Sequence, residues 1–247
     1  MSKTYSSAKS SQIKIKFVNV SSEYVKRRKH NIVLRLLNFS ILKNKINVIV
    51  GPSGSGKSTL LKVLLGFQDY GGMIYLDGSD IEDIPLKERR FAYISQNKTL
   101  YPHLTIFDNL AFPLKNEHLP LEDIRSRINE VAKLLDIELL LSRKPRQISG
   151  GQRQKVAFAK AIINFADTYL LDEPFSELNP DYRKDMYNII NMIKEKYQAT
   201  FIIVTHNLKD VFSLCDHLIV LEEGQIKLEE DKDILVKRDD ILKTYLN

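Results

Sequence analysis

Gly51-Pro52-Ser53-Gly54-Ser55-Gly56-Lys57-Ser58-Thr59 is the most informative segment of this 247-residue chain. It fits G-x-x-x-x-G-K-[ST], the phosphate-binding loop of nucleoside triphosphatases. The apolar run at residues 46–50 is typical of a buried parallel strand, and residues 60–65, closed by Gly66, are typical of a helix. Strand, glycine-rich turn and helix are the context that the motif requires, so a chance match in a flexible loop is disfavoured. The sequence therefore predicts that the chain binds a nucleoside triphosphate.

Each part of this loop has a predicted role. The glycines let the backbone turn so that successive N–H groups point at phosphate oxygens, and the helix start adds a partial positive charge. Lys57 is expected to reach the β- and γ-phosphates, and Ser58 to ligate Mg²⁺. The residues predicted to contact the nucleotide here are Gly51, Ser53, Gly54, Ser55, Gly56, Lys57, Ser58 and Thr59.

The composition is that of an ordinary globular protein, with 43% hydrophobic and 28% charged residues. The sequence contains no apolar run of the ~18–20 residues that a membrane span needs. Residues 1–11 are polar and rich in Ser and Lys, which predicts disorder rather than a signal peptide. The single cysteine, Cys215, excludes an internal disulfide and fits a reducing cytoplasm.

The formal net charge of +6 could indicate nucleic acid or an anionic membrane surface as a partner. The one dense basic run is Lys26-Arg27-Arg28-Lys29. Because charge runs are usually exposed faces, a solvated loop is the favoured interpretation.

The remaining pattern predicts an α/β fold. Three buried strands, at residues 46–50, 169–171 and 201–204, alternate with helices, as in a mostly parallel P-loop-type sheet. Further strands are predicted at 13–20, 32–42, 73–76 and 90–96, with a hairpin at 218–221 and 226–228. An amphipathic helix is predicted around 124–135, and a short charged helix at 229–247.

Three polar residues are predicted to cap helices. Ser149 would begin a helix from Gly150 to about residue 165, and Asn207 would begin the helix after the strand at 201–204. Asn179, followed by Pro180, would begin a helix that ends near residue 196.

Two consecutive acids, Asp172 and Glu173, follow the buried strand at 169–171. One carboxylate can hold magnesium opposite Ser58, and its neighbour can accept a proton from the attacking water or orient it. The alternative is an exposed acidic pair in a surface loop. His206 follows another buried strand, and ligands bind where the carboxyl ends of parallel strands meet. We therefore expect these residues to share one site with the phosphate-binding loop.

Ser149-Gly150-Gly151-Gln152 combines a serine N-cap with two glycines at a predicted helix start. Such a start presents bare N–H groups, which can bind an anion. From these residues alone, a capped helix without a ligand is equally compatible.

In this order and spacing, the motifs resemble those of the ATP-binding subunit of ABC transporters over nearly the whole chain. Residues 51–59 match the Walker A motif, 169–173 the Walker B motif with its catalytic glutamate, and 148–152 the LSGGQ signature, with Ile in place of the first Leu. Gln96 matches the Q-loop glutamine and His206 the switch histidine. Tyr24 is the best match to the aromatic residue that stacks on adenine, although the basic insertion at 26–29 alters the register there.

The resemblance implies a P-loop NTPase fold with a mostly parallel core sheet, an antiparallel β-subdomain and a helical subdomain at about 97–165, within one domain of residues 1–247. It implies ATP and Mg²⁺ as ligands. The catalytic residues implied are Lys57, Gln96, Glu173 and His206, and the metal ligands are Ser58, Gln96 and Asp172. Further nucleotide contacts are implied for Tyr24, Ser149, Gly150, Gly151 and Gln152.

The resemblance also implies partners. Two ATPase subunits, alike or different, would meet head to tail and drive integral-membrane subunits on separate chains, with a substrate-binding protein as a further candidate. This places the chain at the cytoplasmic side of the cell membrane, without direct nucleic-acid binding. One departure is Asn179, where the family's D-loop normally carries Asp, so a charge near the ATP site is missing.

The direction of transport and the cargo are indicated less directly. Segments 101–105 and 143–145 look like those of sugar and glycerol-phosphate importer subunits, which favours an importer and weakly favours sugars. Those subunits usually carry a C-terminal regulatory domain, and this sequence stops at Asn247. The alternatives are an exporter ATPase, a regulatory subunit with weak hydrolysis, and a non-transport ATPase acting on nucleic acid or ribosomes. The last is disfavoured, because the chain carries a single cassette without sustained heptads.

Overall fold

The structure is a computed structural model that describes residues 12–26, 29–95, 100–176 and 178–232. The strands are β1 (Ile13–Lys26), β2 (Lys29–Leu42), β3 (Ile46–Val50), β4 (Gly71–Leu76), β5 (Ser79–Asp80), β6 (Phe91–Ile94), β7 (Thr168–Asp172), β8 (Thr200–Thr205), β9 (His217–Glu222) and β10 (Gln225–Asp231). The α-helices are α1 (Lys57–Leu64), α2 (Ile106–Asn116), α3 (Leu121–Leu135), α4 (Gly150–Ile162), α5 (Pro180–Tyr197) and α6 (Leu208–Leu214). Short 3-10 turns cover Ile81–Asp83, Glu138–Leu140 and Pro145–Gln147.

A six-stranded sheet in the order β10-β9-β3-β8-β7-β6 forms the centre of the fold. All neighbouring pairs are parallel except β9 with β10, which form the predicted hairpin. Strands β3, β7 and β8 are buried along their whole length, because both faces of the sheet are covered. Val48 and Val50 pack in the core on one face, whereas Ile49 packs in the core on the other.

The two cores have different partners. On one face, helices α2 to α5 bury apolar side chains against the sheet. On the other face, α1 and a second, four-stranded sheet in the order β2-β1-β4-β5 enclose a separate core. This second sheet is antiparallel throughout, and Phe17 of β1 stacks on Phe39 of β2 with ring centroids 4.3 Å apart. The predicted α/β fold with a parallel core sheet and an antiparallel sheet beside it is confirmed.

The three predicted helix caps are confirmed. The Oγ of Ser149 accepts a hydrogen bond from the N–H of Gln152, and the Oδ1 of Asn179 accepts one from Tyr182 N–H at 3.0 Å. Asn207 likewise accepts from the N–H of Lys209 at the start of α6. Each cap satisfies an amide that the first helical turn leaves without an intrahelical partner.

Several predicted boundaries differ from the observed ones. Helix α1 begins at Lys57, inside the phosphate-binding loop, rather than at residue 60. The prediction of a helix at 229–247 is wrong for residues 229–231, which belong to β10; residues 233–247 lie outside the described part of the chain. Strand β10 lies at the edge of the central sheet, and its exposed and half-buried residues alternate. A charged edge strand of this kind is hard to distinguish from a polar helix by its sequence.

Two further predictions concern residues that are only partly described. Lys26 and Lys29 pair with each other at the tip of the β1–β2 hairpin, whereas residues 27 and 28 lie outside the described part. The predicted disorder of residues 1–11 also falls outside it. Among the helices of the described ranges, none combines the length and the hydropathy needed to cross a bilayer.

Candidate functional site

The candidate site lies at the carboxyl edge of the central sheet. Val50 of β3 is level with Thr205 of β8, and Asp172 of β7 is level with Val204 of β8. The segments that follow these three strands therefore leave the sheet side by side. This register brings the phosphate-binding loop, Glu173 and His206 to one place, although they are far apart in sequence.

The phosphate-binding loop requires glycine for two different reasons. Gly56 has φ of 107°, in the left-handed region that side chains disfavour. Gly51 has no such backbone restriction, but a Cβ there would lie only 1.9 Å from the carbonyl oxygen of Leu221 in β9. The loop therefore packs directly on the neighbouring strand, which holds it against the edge of the sheet.

Lys57 is folded over this loop. Its Nζ donates to the carbonyl oxygens of Gly51 at 2.7 Å and Pro52 at 2.8 Å. Burial lowers the pKa of Lys57 below its usual range, although the nearby carboxylates of Glu173 and Asp172 oppose that shift. An ammonium has three donors, so the third can reach an anion above the loop.

Ser58 and Asp172 are joined across the sheet edge. The Oγ of Ser58 donates to Oδ1 of Asp172 at 3.1 Å. Tyr93, on the adjacent strand β6, lies close to Asp172, and burial together with that carboxylate raises the pKa of Tyr93. The result is a cluster of hard oxygen donors, the donor type that Mg²⁺ prefers.

Glu173 and His206 form the other half of the site. The Nδ1 of His206 lies 2.8 Å from Oε1 of Glu173. Glu173 has a left-handed backbone, with φ of 49°, and its N–H donates to the carbonyl of Val204 at 2.9 Å. A positive φ is unusual for a residue with a side chain and is sustained only by fixed surroundings. The side chain of Glu173 is mostly buried, whereas that of His206 is largely exposed.

A cavity of about 630 Å³ connects these groups. Its lining residues are Tyr24, Asn31, Val33, Ser53, Gly54, Gly56, Lys57, Ser58, Thr59, Asp172, Glu173 and His206. Tyr24 is partly exposed, and its hydroxyl lies 3.4 Å from Oγ1 of Thr59. Tyr24 faces Asn31 across the β1–β2 pair, so both reach the same cavity. The cavity therefore extends from the phosphate-binding loop to an aromatic side chain.

Ser149, Gly150, Gly151 and Gln152 do not line this cavity in the described part of the chain. Ser149 and Gln152 form a reciprocal capping box, in which Ser149 N–H donates to Oε1 of Gln152 at 3.0 Å. Helix α4 nevertheless contacts the site indirectly, because Nε2 of Gln154 donates to the carbonyl of Pro174 at 2.7 Å. Pro174 directly follows Glu173.

Gln96 lies outside the described residues, so its predicted role stays a prediction. Sequence reasoning missed Tyr93, Gln154 and the buried Asp210. A signal existed for Gln154, because it shares the spacing i, i+4, i+8 with buried Phe158 and Ile162, and a polar residue on an apolar stripe calls for a partner.

The strand, phosphate-binding loop and helix at the edge of a parallel sheet define the P-loop NTPase class. Within that class, the sequence matches the ABC transporter family over residues 34–176, which is more than half of its length. The chain belongs to the ABC transporter family, as the motifs predicted.

Two curated relatives carry importer names. The chain is 39% identical over 198 residues to the spermidine/putrescine import ATP-binding protein PotA of Mannheimia succiniciproducens, covering 80% of this chain and 53% of PotA. It is 41% identical over 195 residues to the sn-glycerol-3-phosphate import ATP-binding protein UgpC 3 of Agrobacterium fabrum, covering 78% of this chain and 55% of the relative. The chain thus spans about half the length of the curated relatives it matches.

The solved structures support the same family. The dimeric bacterial ABC transporter cassette MJ0796 superimposes with a TM-score of 0.78 at 29% identity, covering 88% of this chain and 98% of that one. A further structure of MJ0796 is a dimer in a post-hydrolysis state bound to ADP and Pi.

Proposed function

We propose that this chain is the ATP-binding and ATP-hydrolysing subunit of an ABC-type importer. The observation that carries the proposal is the single cavity lined by Lys57, Ser58, Asp172, Glu173 and His206. Each of these residue types matches one requirement of phosphoryl transfer to water: a cation, metal ligands, a base and a group that orients the base.

Lys57 and the loop amides bind the phosphates. Lys57 is already held by two carbonyls at the mouth of the loop, so little side-chain freedom is lost when its third N–H donates to a γ-phosphate oxygen. The amides at the start of α1 point in the same direction and add the favourable end of the helix dipole. Tyr24, at the other end of the cavity, provides an aromatic face for the adenine ring.

Ser58 and Asp172 would hold Mg²⁺. They already approach within hydrogen-bond distance of each other, and a hydroxyl with a carboxylate suits a cation that prefers oxygen ligands. When bound, Mg²⁺ neutralises charge on the β- and γ-phosphates. Tyr93, close to Asp172 on the neighbouring strand, would help to orient that carboxylate. Gln96, the remaining predicted ligand, comes two residues after the end of β6 in the sequence, and its role stays a prediction.

Glu173 and His206 would act on the attacking water. In ATP + H₂O → ADP + phosphate, the Glu173 carboxylate orients the water or accepts its proton. A carboxylate can only accept, so the 2.8 Å contact is a donation from Nδ1 of His206. That tautomer directs Nε2 of the exposed imidazole away from Glu173, toward the place where the γ-phosphate would lie.

A second ATPase subunit would complete the site. The signature residues Ser149, Gly150, Gly151 and Gln152 are exposed or partly exposed and lie outside their own cavity. A head-to-tail dimer would place the start of one α4 helix over the γ-phosphate bound by the other subunit. The dimeric arrangement of the cassette MJ0796 supports this proposal.

The importer assignment rests on the relatives. PotA and UgpC 3 are named as import ATP-binding proteins, and their cargo classes differ although both are similarly identical to this chain. Cargo is therefore expected to be recognised by membrane subunits or a substrate-binding protein. The chain itself would bind peripherally at the cytoplasmic side of the cell membrane.

We further propose one ATPase domain over residues 1–247, with a helical subdomain at about 97–165. Helices α2, α3 and α4 support this division.

The experiment compares wild-type chain with Glu173→Gln in the presence of Mg²⁺ and ATP. Wild type should release phosphate, whereas the variant should bind ATP, hydrolyse little of it and form a dimer detectable by light scattering. ADP should leave both proteins monomeric. A wild-type chain that neither binds nor hydrolyses ATP would contradict the proposal, and a monomer at every ATP concentration would contradict the shared site.

Membrane partners require a second measurement. Proteins that co-purify with the tagged chain from its own cells should include integral-membrane subunits of an importer. Recovery of ribosomes or nucleic acid instead would contradict a transport role, and recovery of exporter subunits would contradict the direction.

A further inference from the structure

Asp210 is a buried carboxylate that the proposed chemistry does not use. It lies in α6, four residues after His206, and only 2% of its surface is exposed. Burying a carboxylate is unfavourable unless charge and hydrogen bonds compensate for the lost hydration. The three side chains that compensate here come from two segments, the end of β8 and helix α5.

The first partner is Thr205, the residue before His206. Its Oγ1 donates to Oδ2 of Asp210 at 2.7 Å and accepts from the N–H of Asn207 at 3.1 Å. The hydroxyl of the residue before His206 thus contacts the residue after it, and it links this turn to Asp210. These two bonds hold the backbone on either side of His206, whose imidazole contacts Glu173.

The second and third partners lie on α5. Arg183 Nη1 lies 3.5 Å from Oδ1 of Asp210, and the hydroxyl of Tyr187 also donates to that oxygen. Arg183 Nη2 donates to the carbonyl of Phe175 at 2.9 Å, and the ring of Tyr187 meets the ring of Phe175 edge-on at 5.1 Å. Phe175 is itself buried and lies two residues after Glu173.

Asp210 therefore bridges the two halves of the Glu173–His206 pair by a route independent of their direct contact. On one side it holds Thr205, next to His206. On the other side it holds Arg183, which anchors the turn after Glu173 at Phe175. Arg183 N–H also donates to the carbonyl of Asn179, so the same arginine lies in the first turn of the Asn179-capped helix.

We propose that Asp210 is a positioning residue for hydrolysis. It keeps the side chains of His206 and Glu173 correctly placed relative to each other and connects them to the start of α5. The inference rests on the proposed ATPase function and assigns a role to a residue outside the cavity. Because Asp210 acts through Thr205 and Arg183, its loss should disturb the water-activating pair and leave the phosphate-binding loop unchanged. The expected effect is on kcat rather than on ATP affinity.

The test uses Asp210→Asn, which keeps the shape of the side chain and removes its charge. Its matched control is Asp216→Asn. Asp216 is also a structural acid, accepting from Ile46 N–H at 2.9 Å and Lys194 Nζ at 3.1 Å, but it lies at the opposite end of β3. Both variants should lose stability in thermal melts, so unfolding alone does not distinguish them.

Catalysis should distinguish them. Below the melting transition, Asp210→Asn should lower kcat by about 10- to 100-fold, because small displacements of reacting groups have effects of that size. Its ATP affinity, measured by calorimetry, should stay within about twofold of wild type. Asp216→Asn should keep the kcat and the ATP affinity of the wild type. Equal kcat for the two variants would overturn the inference, as would a parallel loss of ATP affinity in Asp210→Asn.

A second pair of variants tests the route through Thr205 and guards against misfolding of Asp210→Asn. Thr205→Val removes the hydroxyl and should lower kcat, whereas Thr205→Ser retains it and should restore most of the wild-type rate. Equal kcat values for Thr205→Val and Thr205→Ser would overturn the inference. A wild-type chain without ATPase activity would instead contradict the underlying function, so the two failures are distinguishable.

Discussion

The Nζ of Lys57 lies 2.7 Å from the carbonyl oxygen of Gly51, at the first residue of its own phosphate-binding loop. The lysine therefore stabilises the loop and presents a charge above it. Lys57→Ala should lose tight ATP binding, by about 10- to 100-fold, since a hydrogen bond to a charged group contributes about 1.5–3 kcal/mol. Calorimetry with Mg²⁺ and ATP measures the change. Lys62→Ala, at an exposed position of the same helix, is the control, and unchanged affinity in Lys57→Ala would refute the assignment.

The contact between Glu173 and His206 predicts a different kinetic effect. His206→Ala should lower the hydrolysis rate by about 100-fold or more, because the base loses the group that orients it, while ATP binding is retained. Steady-state phosphate release and ATP titration separate the two quantities. His118→Asn is the control, because His118 is exposed in the turn after α2 and Asn tolerates its left-handed backbone. A His206→Ala variant that hydrolyses ATP at the wild-type rate would exclude His206 from the chemistry.

Asn179 departs from the acidic residue expected at the D-loop. Its side chain makes the cap that Asp would also make, so Asn179→Asp should leave folding nearly unchanged. If the missing carboxylate normally helps couple two ATP sites, the substitution should raise the hydrolysis rate several-fold. The helix dipole accounts for only ~0.3–1 kcal/mol in favour of Asp.

The rates and melting curves should be compared with membrane partners present. Asn179→Ser provides the matched control, because serine is an equivalent cap without charge. A rate for Asn179→Asp that equals those of Asn179→Ser and wild type would mean that Asn179 acts only as a cap.

His217 predicts a pH dependence of stability. It is buried at the start of β9, with Nδ1 2.8 Å from Asp231 and Nε2 3.4 Å from Glu229, an ion-pair distance. Burial by itself lowers the pKa of His217, but the hydrogen bond to Asp231 and the charges of Glu229 and Asp231 outweigh it and raise the pKa. A group with a raised pKa in the folded state stabilises it fully below the unfolded pKa of about 6.5, and loses that contribution as pH rises through the folded pKa.

The measurement is the free energy of unfolding of wild type minus that of His217→Gln, followed from about pH 5 to about pH 9. The difference should be largest at the acid end and shrink toward the alkaline end. Asp231→Asn should flatten this dependence by removing one partner. A difference that stays constant with pH, or grows with it, would show that His217 is not charged in the folded protein at low pH.

Structural features that depend on residues close together in the sequence could be predicted from it. The buried strand before Gly51, the caps at Ser149 and Asn179 and the hairpin around residue 224 were all predictable, because each depends on residues within a few positions of one another. The error at 229–231 has the same origin: these residues form a strand because His217 and its strand lie beside them. Local pattern could not distinguish an exposed edge strand from a charged helix.

By itself, the sequence determined the class of this protein. Each motif of a P-loop ATPase is a contiguous segment, and its residue types indicate which chemical role it has. Only the tertiary structure decided which groups meet. Ser58 and Asp172 are 114 positions apart, and Glu173 and His206 are 33 apart. Their contacts depend on the register of β3, β7 and β8, which fixes where each strand ends relative to its neighbours. The same holds for Tyr93 and Asp210, whose partners are set by strand order and helix packing, so their surroundings could not be inferred from the residues adjacent in sequence.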